Sequence, residues 1–380
     1  MSPAKTKSAH HLLKQYWGYD TFRPLQEEII HSLLDDKDTI AILPTGAGKS
    51  LCFQLPALMQ DGITVVVSPL ISLMKDQVDA LKENGIPSEF VNSSLTSSEQ
   101  HTIFGKIHSG QIKLLYLSPE RLCMQSMQDR LKNLPVAQFV IDEAHCISHW
   151  GHDFRPEYRM LSMLKENFPA VPVAAFTATA TPQVQQDISD NLKLSEPNIF
   201  VGNVDRPNLT YRIFRRERLE HQIEKALKLH PDEPGIIYCF SRNDVDNISS
   251  YLNSAGYKNL PYHAGLTDDK RKDHQSRFAR EEVDIIVATV AFGMGIDRSN
   301  IRFVIHAAMP QTIEQYQQEV GRAGRDGLPA YGYLFFSPID YKLRLRFCEE
   351  SGQKDVLVEK LNRIYHFCSS PQCRHKSVSE

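Results

Sequence analysis

The chain has no run of about eighteen apolar residues, so it offers no segment of the kind that crosses a bilayer as a helix. Its N-terminus, MSPAKTKSAHHLLKQYW, lacks the apolar core of a secretory signal. A surplus of positive charge is missing too: 43 Lys and Arg against 46 Asp and Glu leave a net charge of −3. Bulk charge therefore does not drive binding to a polyanion, although a local basic channel is compatible with it. No period of 20–50 residues and no low-complexity tract is found. The seven cysteines are odd in number, scattered, and mostly inside apolar segments. That is reduced thiol use rather than a disulfide framework. An intracellular protein is expected: cytoplasm or nucleoid in a bacterium, nucleus in a eukaryote. What is present is a globular composition, 41% hydrophobic and 23% charged, over 380 residues. That length exceeds one ordinary core, so two domains are expected.

Short β-rich runs alternate with helical stretches. Strands are predicted at 39–43, 64–68, 114–118, 139–142 and 173–177, then at 235–240, 284–289, 303–306 and 331–336. They are near-continuous apolar runs, the pattern of parallel strands covered on both faces. An α/β fold follows. The break at 202–214 holds Asp205-Arg206-Pro207-Asn208, a turn-forming hinge. Two α/β domains, about 1–205 and 206–340, are expected with a cleft between them. Helical spacing of Leu343, Phe347, Leu357, Leu361 and Ile364 marks a helical tail over 341–380.

Residues 43–50, LPTGAGKS, join a predicted strand to a stretch that starts like a helix. A strand, a tight turn with Gly46 and Gly48, then a helix is the geometry of a phosphate-binding loop. Backbone N–H groups point into the bend, and the helix N-terminus adds a positive dipole end. Lys49 can reach terminal phosphates, and Ser50 can offer its hydroxyl to Mg²⁺. Leu43 stands where GxxxxGK[ST] has its first Gly, so an ordinary strand–turn–helix corner remains an alternative on these residues alone.

About 90 residues later, VIDEAH ends a strand in the paired carboxylates Asp142 and Glu143. In a parallel sheet both emerge at the carboxyl edge, where ligands bind. Asp142 suits Mg²⁺, and Glu143 suits a group that orients or deprotonates attacking water. A solvated strand end is the plain alternative. FTATA, 176–180, ends another strand with hydroxyls that can link neighbouring motifs, though alone it is unremarkable. Upstream, YWGYDTFRPLQ (16–26) offers Gln26 to read a purine edge, Tyr19 to stack on the base and Arg23 to brace the pocket. An aromatic cluster capping the core explains that stretch equally well.

In CISHWGHDFRPEY (146–158), Trp150, Phe154 and Tyr158 stand among His149, His152 and Arg155. A loop this aromatic and basic is costly to leave in water without a partner. Stacking a base on an aromatic face gains about 1–3 kcal/mol. Opening a DNA base-pair step costs about 1.4 kcal/mol on average, so one stacked base roughly offsets one opened pair. Packing of Trp150 and Phe154 under the loop is the alternative. SPLISLMKDQ (68–77) follows a strand with a Pro in the first helical turn. In the second half, EVGRAGRDG (319–327) puts Arg322 and Arg325 on one helical face. Arginines that stabilise a transferring phosphoryl group contribute about 10³–10⁵ in rate; a solvated Arg-Gly loop is the alternative. ATVAFGMGID (288–297) ends a strand in a Gly-containing turn, while IYCFSR (237–242) and YHAG (262–265) follow strands as well. Lys270-Arg271-Lys272 reads as a solvated face.

LPTGAGKS, DEAH and TATA together resemble a superfamily 2 helicase. FRPLQ, the segment CISHWGHDFRPEY after DEAH, and GRAGRDG resemble the RecQ family of DNA helicases, over about residues 12–375. Leu43 fits that superfamily's form of the phosphate loop. The resemblance implies two RecA-like domains, with parallel sheets flanked by helices, and a short helical C-terminal tail. It implies ATP-dependent 3′→5′ unwinding of DNA in recombination and repair. ATP and Mg²⁺ are the implied cofactors, and single-stranded and partly duplex DNA the implied partner; no protein partner is indicated. Catalytic roles fall on Lys49, Asp142, Glu143, Arg325 as the finger and Arg322 in support. Nucleotide contacts fall on Tyr19, Arg23, Gln26, Thr45, Gly46, Gly48, Lys49, Ser50 and Gln318, with Mg²⁺ on Ser50 and Asp142. DNA contacts fall on Trp150, His152, Phe154, Arg155, Ser68, Arg242, His263 and Thr289. The loop around Trp150 is implied to sense single-stranded DNA and couple it to hydrolysis.

Cys373, in CSSPQCR (368–374), resembles the first of four cysteines in the helical zinc module of many RecQ proteins. No cysteine follows it, so no complete zinc site is expected. Residues 341–380 then read as the start of an incomplete module, in an excised catalytic core or a naturally short member. Two rivals stand beside this reading. One is an RNA helicase of the same superfamily, against which the aromatic loop and FRPLQ count. The other is a nucleic-acid binding or remodelling module that hydrolyses ATP poorly.

Overall fold

Successive residues of a strand face opposite sides of its sheet, and in this chain both sides are apolar. A computed structural model of the chain describes residues 3–92, 95–151, 153–203, 205–293, 298–349 and 354–379. The chain divides into two compact units, residues 1–203 and 204–380. The first holds β1 (Thr39–Ile42), β2 (Ile63–Val67), β3 (Ser88–Val91), β4 (Leu114–Leu117), β5 (Val136–Ile141), β6 (Val173–Thr177) and β7 (Asn198–Val201). They form one sheet in the order β3-β4-β2-β5-β6-β1-β7, parallel throughout. Ile40, Ile42, Val65, Val67, Leu115 and Ile141 enter one core. The intervening Ala41, Val66, Tyr116 and Val140 enter a second core on the other face.

The second unit repeats this logic with β8 (Leu209–Arg215), β9 (Gly235–Tyr238), β10 (Asn259–Tyr262), β11 (Ile285–Ala288), β12 (Phe303–His306) and β13 (Ala330–Phe336). Their order is β10-β11-β9-β12-β13-β8, again parallel. Ile236, Ile286 and Val304 face one core, and Ile237, Val287 and Ile305 the other.

Four strands lie outside the sequence expectation: β3, β7, β8 and β10. They are the four edges of the two sheets. An edge strand is covered on fewer sides and needs no continuous apolar run. In β7, Ile199 and Val201 are about half exposed, at 50% and 53%. β10 carries Pro261, which lacks a ladder donor and is tolerated at an edge. β8 falls within the stretch read as a linker, yet all seven of its residues pair with β13.

Helices Pro338–Glu349, Lys354–Ser369 and Arg374–Ser379 end the chain. Leu361, Ile364, Phe367 and Cys368 sink into the core of the second sheet, with Phe367 against Tyr316 at 5.4 Å between ring centroids. Among the described residues no helix is long and apolar enough to cross a membrane.

Candidate nucleotide and nucleic-acid sites

β1 leads into the loop at 43–48 and then the helix Lys49–Met59. Gly46 and Gly48 have φ of 87° and 79°, the left-handed region that favours glycine. Gly48 also lies against Gln26, where a Cβ would collide with the side-chain amide. Gln26 is buried. Its Nε2 donates to the carbonyls of Ala47 at 3.0 Å and Gly48 at 3.2 Å, and its Oε1 accepts from the Arg23 N–H at 2.8 Å. The Arg23 guanidinium donates to the Gly46 carbonyl. FRPLQ therefore holds the loop from behind, and the Gln26 amide is engaged by loop backbone. Tyr19 is exposed, while Thr45, Lys49 and Ser50 are half-buried.

Asp142 follows β5 and is 4% exposed. Its Oδ1 accepts from the Glu143 N–H at 3.0 Å, and Gln77 Nε2 stands 3.5 Å from its Oδ2. Burial, and then the charge of Glu143, push its carboxyl up to about 7, with Lys49 pulling the other way. A buried carboxylate this short of positive charge suits a divalent cation. Glu143 sits at φ 49°, ψ 44°, a strained region for a side-chain-bearing residue and one found at functional sites. Its Oε2 is 3.3 Å from His145 Nδ1. That nitrogen is also 3.0 Å from Thr177 Oγ1, which donates to the Thr179 carbonyl. His145 of DEAH is thus hydrogen-bonded to Thr177 of TATA, while the Glu143 Oε2 is buried with no hydrogen-bond partner among the described residues.

The aromatic loop is tied to the same motif. Tyr158 is buried and donates to the Asp142 carbonyl at 3.0 Å. The Arg155 N–H donates to the Cys146 carbonyl at 2.9 Å. Gly151 packs so closely on the His145 carbonyl that a Cβ would collide with it. Arg155 Nη1 donates to the Pro69 carbonyl at 3.0 Å, and its other nitrogens bind Asp153 at 3.0 and 2.9 Å. The loop therefore bridges the segment after β5 and the segment after β2. Phe154 stacks on His149 with centroids 3.8 Å apart, and Trp150 is exposed. Ser68 is buried, with no hydrogen-bond partner for its hydroxyl among the described residues. His152 lies outside the described residues.

In the second unit, the Thr312 hydroxyl caps helix Ile313–Val320 by accepting from the Gln315 N–H at 3.1 Å. Gln318 is half-buried on that helix. Glu319 is buried on His306 at 2.7 Å and accepts from Gln315 at 2.9 Å. The chain then turns through 321–327. Arg322 is 5% exposed, beside the Tyr238 hydroxyl and packed against Gly293. Arg325 is half-exposed. Arg206 donates to the carbonyls of Gly321, Ala323 and Gly324 at 3.3, 3.0 and 2.7 Å. Asn208 Nδ2 donates to those of Gly324 and Leu328, both at 2.9 Å. The turn read from sequence as a hinge thus cradles the arginine-bearing turn.

Arg242 is exposed and opens helix Arg242–Ser254, capped by Ser241. His263 is buried, its Nδ1 accepting from the Gly265 N–H at 3.1 Å and its Nε2 3.0 Å from Asp246. The Thr289 N–H, just after β11, donates to the Tyr262 carbonyl at 3.1 Å. Residues 294–297 of that motif lie outside the described residues. Among the described residues no three His, Cys, Asp or Glu side chains gather as a metal-binding group; Cys368 is buried and Cys373 exposed.

Four contributors were not singled out by sequence: Gln77, Gly151, Arg206 and Asn208. Each stands within a stretch that drew attention, but its partner is remote in the chain or is backbone.

Residues 23–188 match the DEAD/DEAH box helicase family, and residues 217–327 the helicase conserved C-terminal domain. The chain is 46% identical to the ATP-dependent DNA helicase RecQ of Haemophilus influenzae, over 96% of this chain and 59% of that protein. It is 43% identical to the probable ATP-dependent DNA helicase RecS of Bacillus subtilis, over 87% of this chain and 67% of that one. The chain thus spans about three fifths to two thirds of the length of these two relatives. Among solved structures, the DEAD-box helicase Mss116 bound to ssRNA and UDP-BeF superposes with a TM-score of 0.69 at 20% identity, covering 92% of this chain and 75% of that one. That likeness is one of fold: two RecA-like sheets in tandem.

Proposed function

The chain belongs to the RecQ family of ATP-dependent DNA helicases, and we propose that it is a motor core that couples ATP hydrolysis to 3′→5′ movement on single-stranded DNA. The observation that carries this reading is the anchoring of the aromatic loop: Tyr158 on the Asp142 carbonyl and Gly151 on that of His145. A strand that moves Trp150 or Phe154 pulls on the backbone of the motif that handles the nucleotide.

In this reading Lys49 and the N–H groups of the glycine loop bind the terminal phosphates of ATP. Tyr19 serves its base, and Gln26 and Arg23 hold the loop that receives it. Ser50 and Asp142 hold Mg²⁺, whose chemistry when bound is to neutralise phosphate charge. Glu143 orients the attacking water and takes its proton, and His145 and Thr177 fix its direction. Arg325, with Arg322 and Gln318 in support, stabilises the charge of phosphoryl transfer. Trp150, Phe154, Arg155 and His152, with Ser68, Arg242, His263 and Thr289, make the DNA track. In His263 the buried ring shapes the turn rather than offering a free donor. The domains are taken as 1–205, 206–340 and a helical segment 341–380. Duplex DNA in recombination and repair, inside the cell, is the proposed setting.

Strand displacement on a 3′-tailed duplex tests this. ATP-dependent release of the strand by the wild-type chain, absent with Lys49→Ala, is expected. Release without ATP, or equal release by both proteins, contradicts the motor reading.

A further inference from the structure

The helix Pro338–Glu349 lies across the carboxyl ends of the second sheet's strands. Near its start, Asp340 pairs with Arg216, which follows β8, at 2.6 Å, and accepts from the N–H of Met309, past β12, at 3.1 Å. One turn on, Arg344 Nε donates to the Met309 carbonyl at 2.7 Å. At its far end Phe347 meets Phe240, just past β9, with ring centroids 6.1 Å apart, and the Arg344 guanidinium covers the Phe240 ring at 5.0 Å. The helix thus closes the edge over β8, β12 and β9. It stops where the ends of β11 and β10 begin. Carboxyl edges are where open α/β sheets bind ligands.

The outer face of this helix is not that of an ordinary surface helix. Ile339, Leu343 and Phe347, at i, i+4 and i+8, are 60%, 37% and 60% exposed. Lys342 and Arg346 are exposed between them. Three carboxylates of this edge are engaged, Asp340 by Arg216, Asp246 by His263 and Asp244 by the Ser241 cap, and Glu349 is exposed at the helix's end. Aromatic and apolar groups interleaved with cations, beside exposed Arg242, suit a nucleic acid strand, whose bases stack and whose phosphates need cations.

We propose that Phe347, backed by Phe240 and flanked by Lys342 and Arg346, is a base-stacking platform that extends the DNA track of the second unit beyond Arg242. The proposal rests on the DNA reading given above and assigns a contact that its motifs do not include.

The test is fluorescence anisotropy of the full chain with a labelled oligothymidine at fixed low salt, comparing wild type, Phe347→Ala and Phe347→Tyr, with thermal melting alongside. Phe347→Ala is expected to weaken binding about 5- to 100-fold, the range for one lost stacked base. Phe347→Tyr, which keeps the ring, is expected to bind as wild type, and all three proteins to melt alike. Wild-type affinity in Phe347→Ala overturns the platform while leaving the DNA reading intact. Weakened binding in Phe347→Ala accompanied by a lower melting transition, with Phe347→Tyr equally weak, overturns it in favour of a structural role. Concentration-dependent sedimentation abolished by Phe347→Ala at unchanged DNA affinity overturns it in favour of self-association. No binding by wild type at all sinks the DNA reading first, and the platform with it.

Discussion

The glycine loop of the first unit follows β1 at its sheet's carboxyl edge, whereas the arginine turn of the second leads into β13 at its sheet's amino edge; both are glycine-containing corners, but they are built differently. Around the first, Arg23 and Gln26 brace the loop carbonyls, but the carboxylates beside it are left short of positive charge. Asp142 is buried with its carboxyl pushed up to about 7, and Glu143 is held at a positive φ. Around the second, Arg206 and Asn208 supply donors to the carbonyls of Gly321, Ala323, Gly324 and Leu328, while the Arg322 Nε is buried with no hydrogen-bond partner among the described residues. A backbone strain such as that at Glu143 is common where a ligand is handled. A corner that presents a side chain to chemistry elsewhere is held stiff by its own unit.

The largest expected effects separate the two corners. Lys49→Ala is expected to abolish turnover and to weaken nucleotide binding. Arg325→Ala is expected to lower kcat by about 10³–10⁵ while a fluorescent ADP analogue still binds. Steady-state ATPase and nucleotide titration check both. If Arg325→Ala loses nucleotide binding instead, the turn is a binding element and the contrast fails.

A smaller effect is expected at the brace. Arg206→Lys keeps the charge but cannot span three carbonyls. Losing charge-assisted bonds of about 1.5–3 kcal/mol in total predicts a fall in kcat of about 10- to 100-fold, with KM little changed. A rise in KM at constant kcat would place Arg206 at the substrate rather than under the arginine turn.

The smallest effect concerns stability and has a definite sign. The Asp142 carboxyl is raised in the folded state from 3.8 to about 7. Its contribution to stability is therefore fully present below about pH 4 and is lost as pH rises through about 7. Asp142→Asn, which cannot ionise, is expected to melt higher than wild type at pH 8 and near-equally at pH 4, without added metal. Melting scans at the two pH values read this out. A variant less stable than wild type at pH 8 contradicts the uncompensated-charge account.

What could be read from sequence follows the same division. The nine central strands were legible because apolar side chains on both faces leave continuous runs. The four edges were not, since Ser88–Val91 and Asn198–Val201 are only partly covered and carry polar residues. LPTGAGKS, DEAH and GRAGRDG were legible because phosphate chemistry restricts residue types at short spacing. The Arg206 cradle was not, because Asp-Arg-Pro-Asn has turn chemistry in any context and its partners lie more than a hundred residues away. Gln26 was picked out, but its contact with the Ala47 and Gly48 carbonyls depends on how the preceding helix is packed, which no local pattern reveals. Likewise Tyr158 was read as part of an aromatic loop, while its bond to Asp142 turns that loop into a lever on the nucleotide motif.

That lever is the central claim, and ATPase activity titrated with single-stranded DNA and with RNA, in wild type and Trp150→Ala, tests it most directly. Strong stimulation of the wild-type chain by DNA, lost in Trp150→Ala, is the predicted result. Stimulation by RNA alone, or full DNA stimulation in Trp150→Ala, would contradict it.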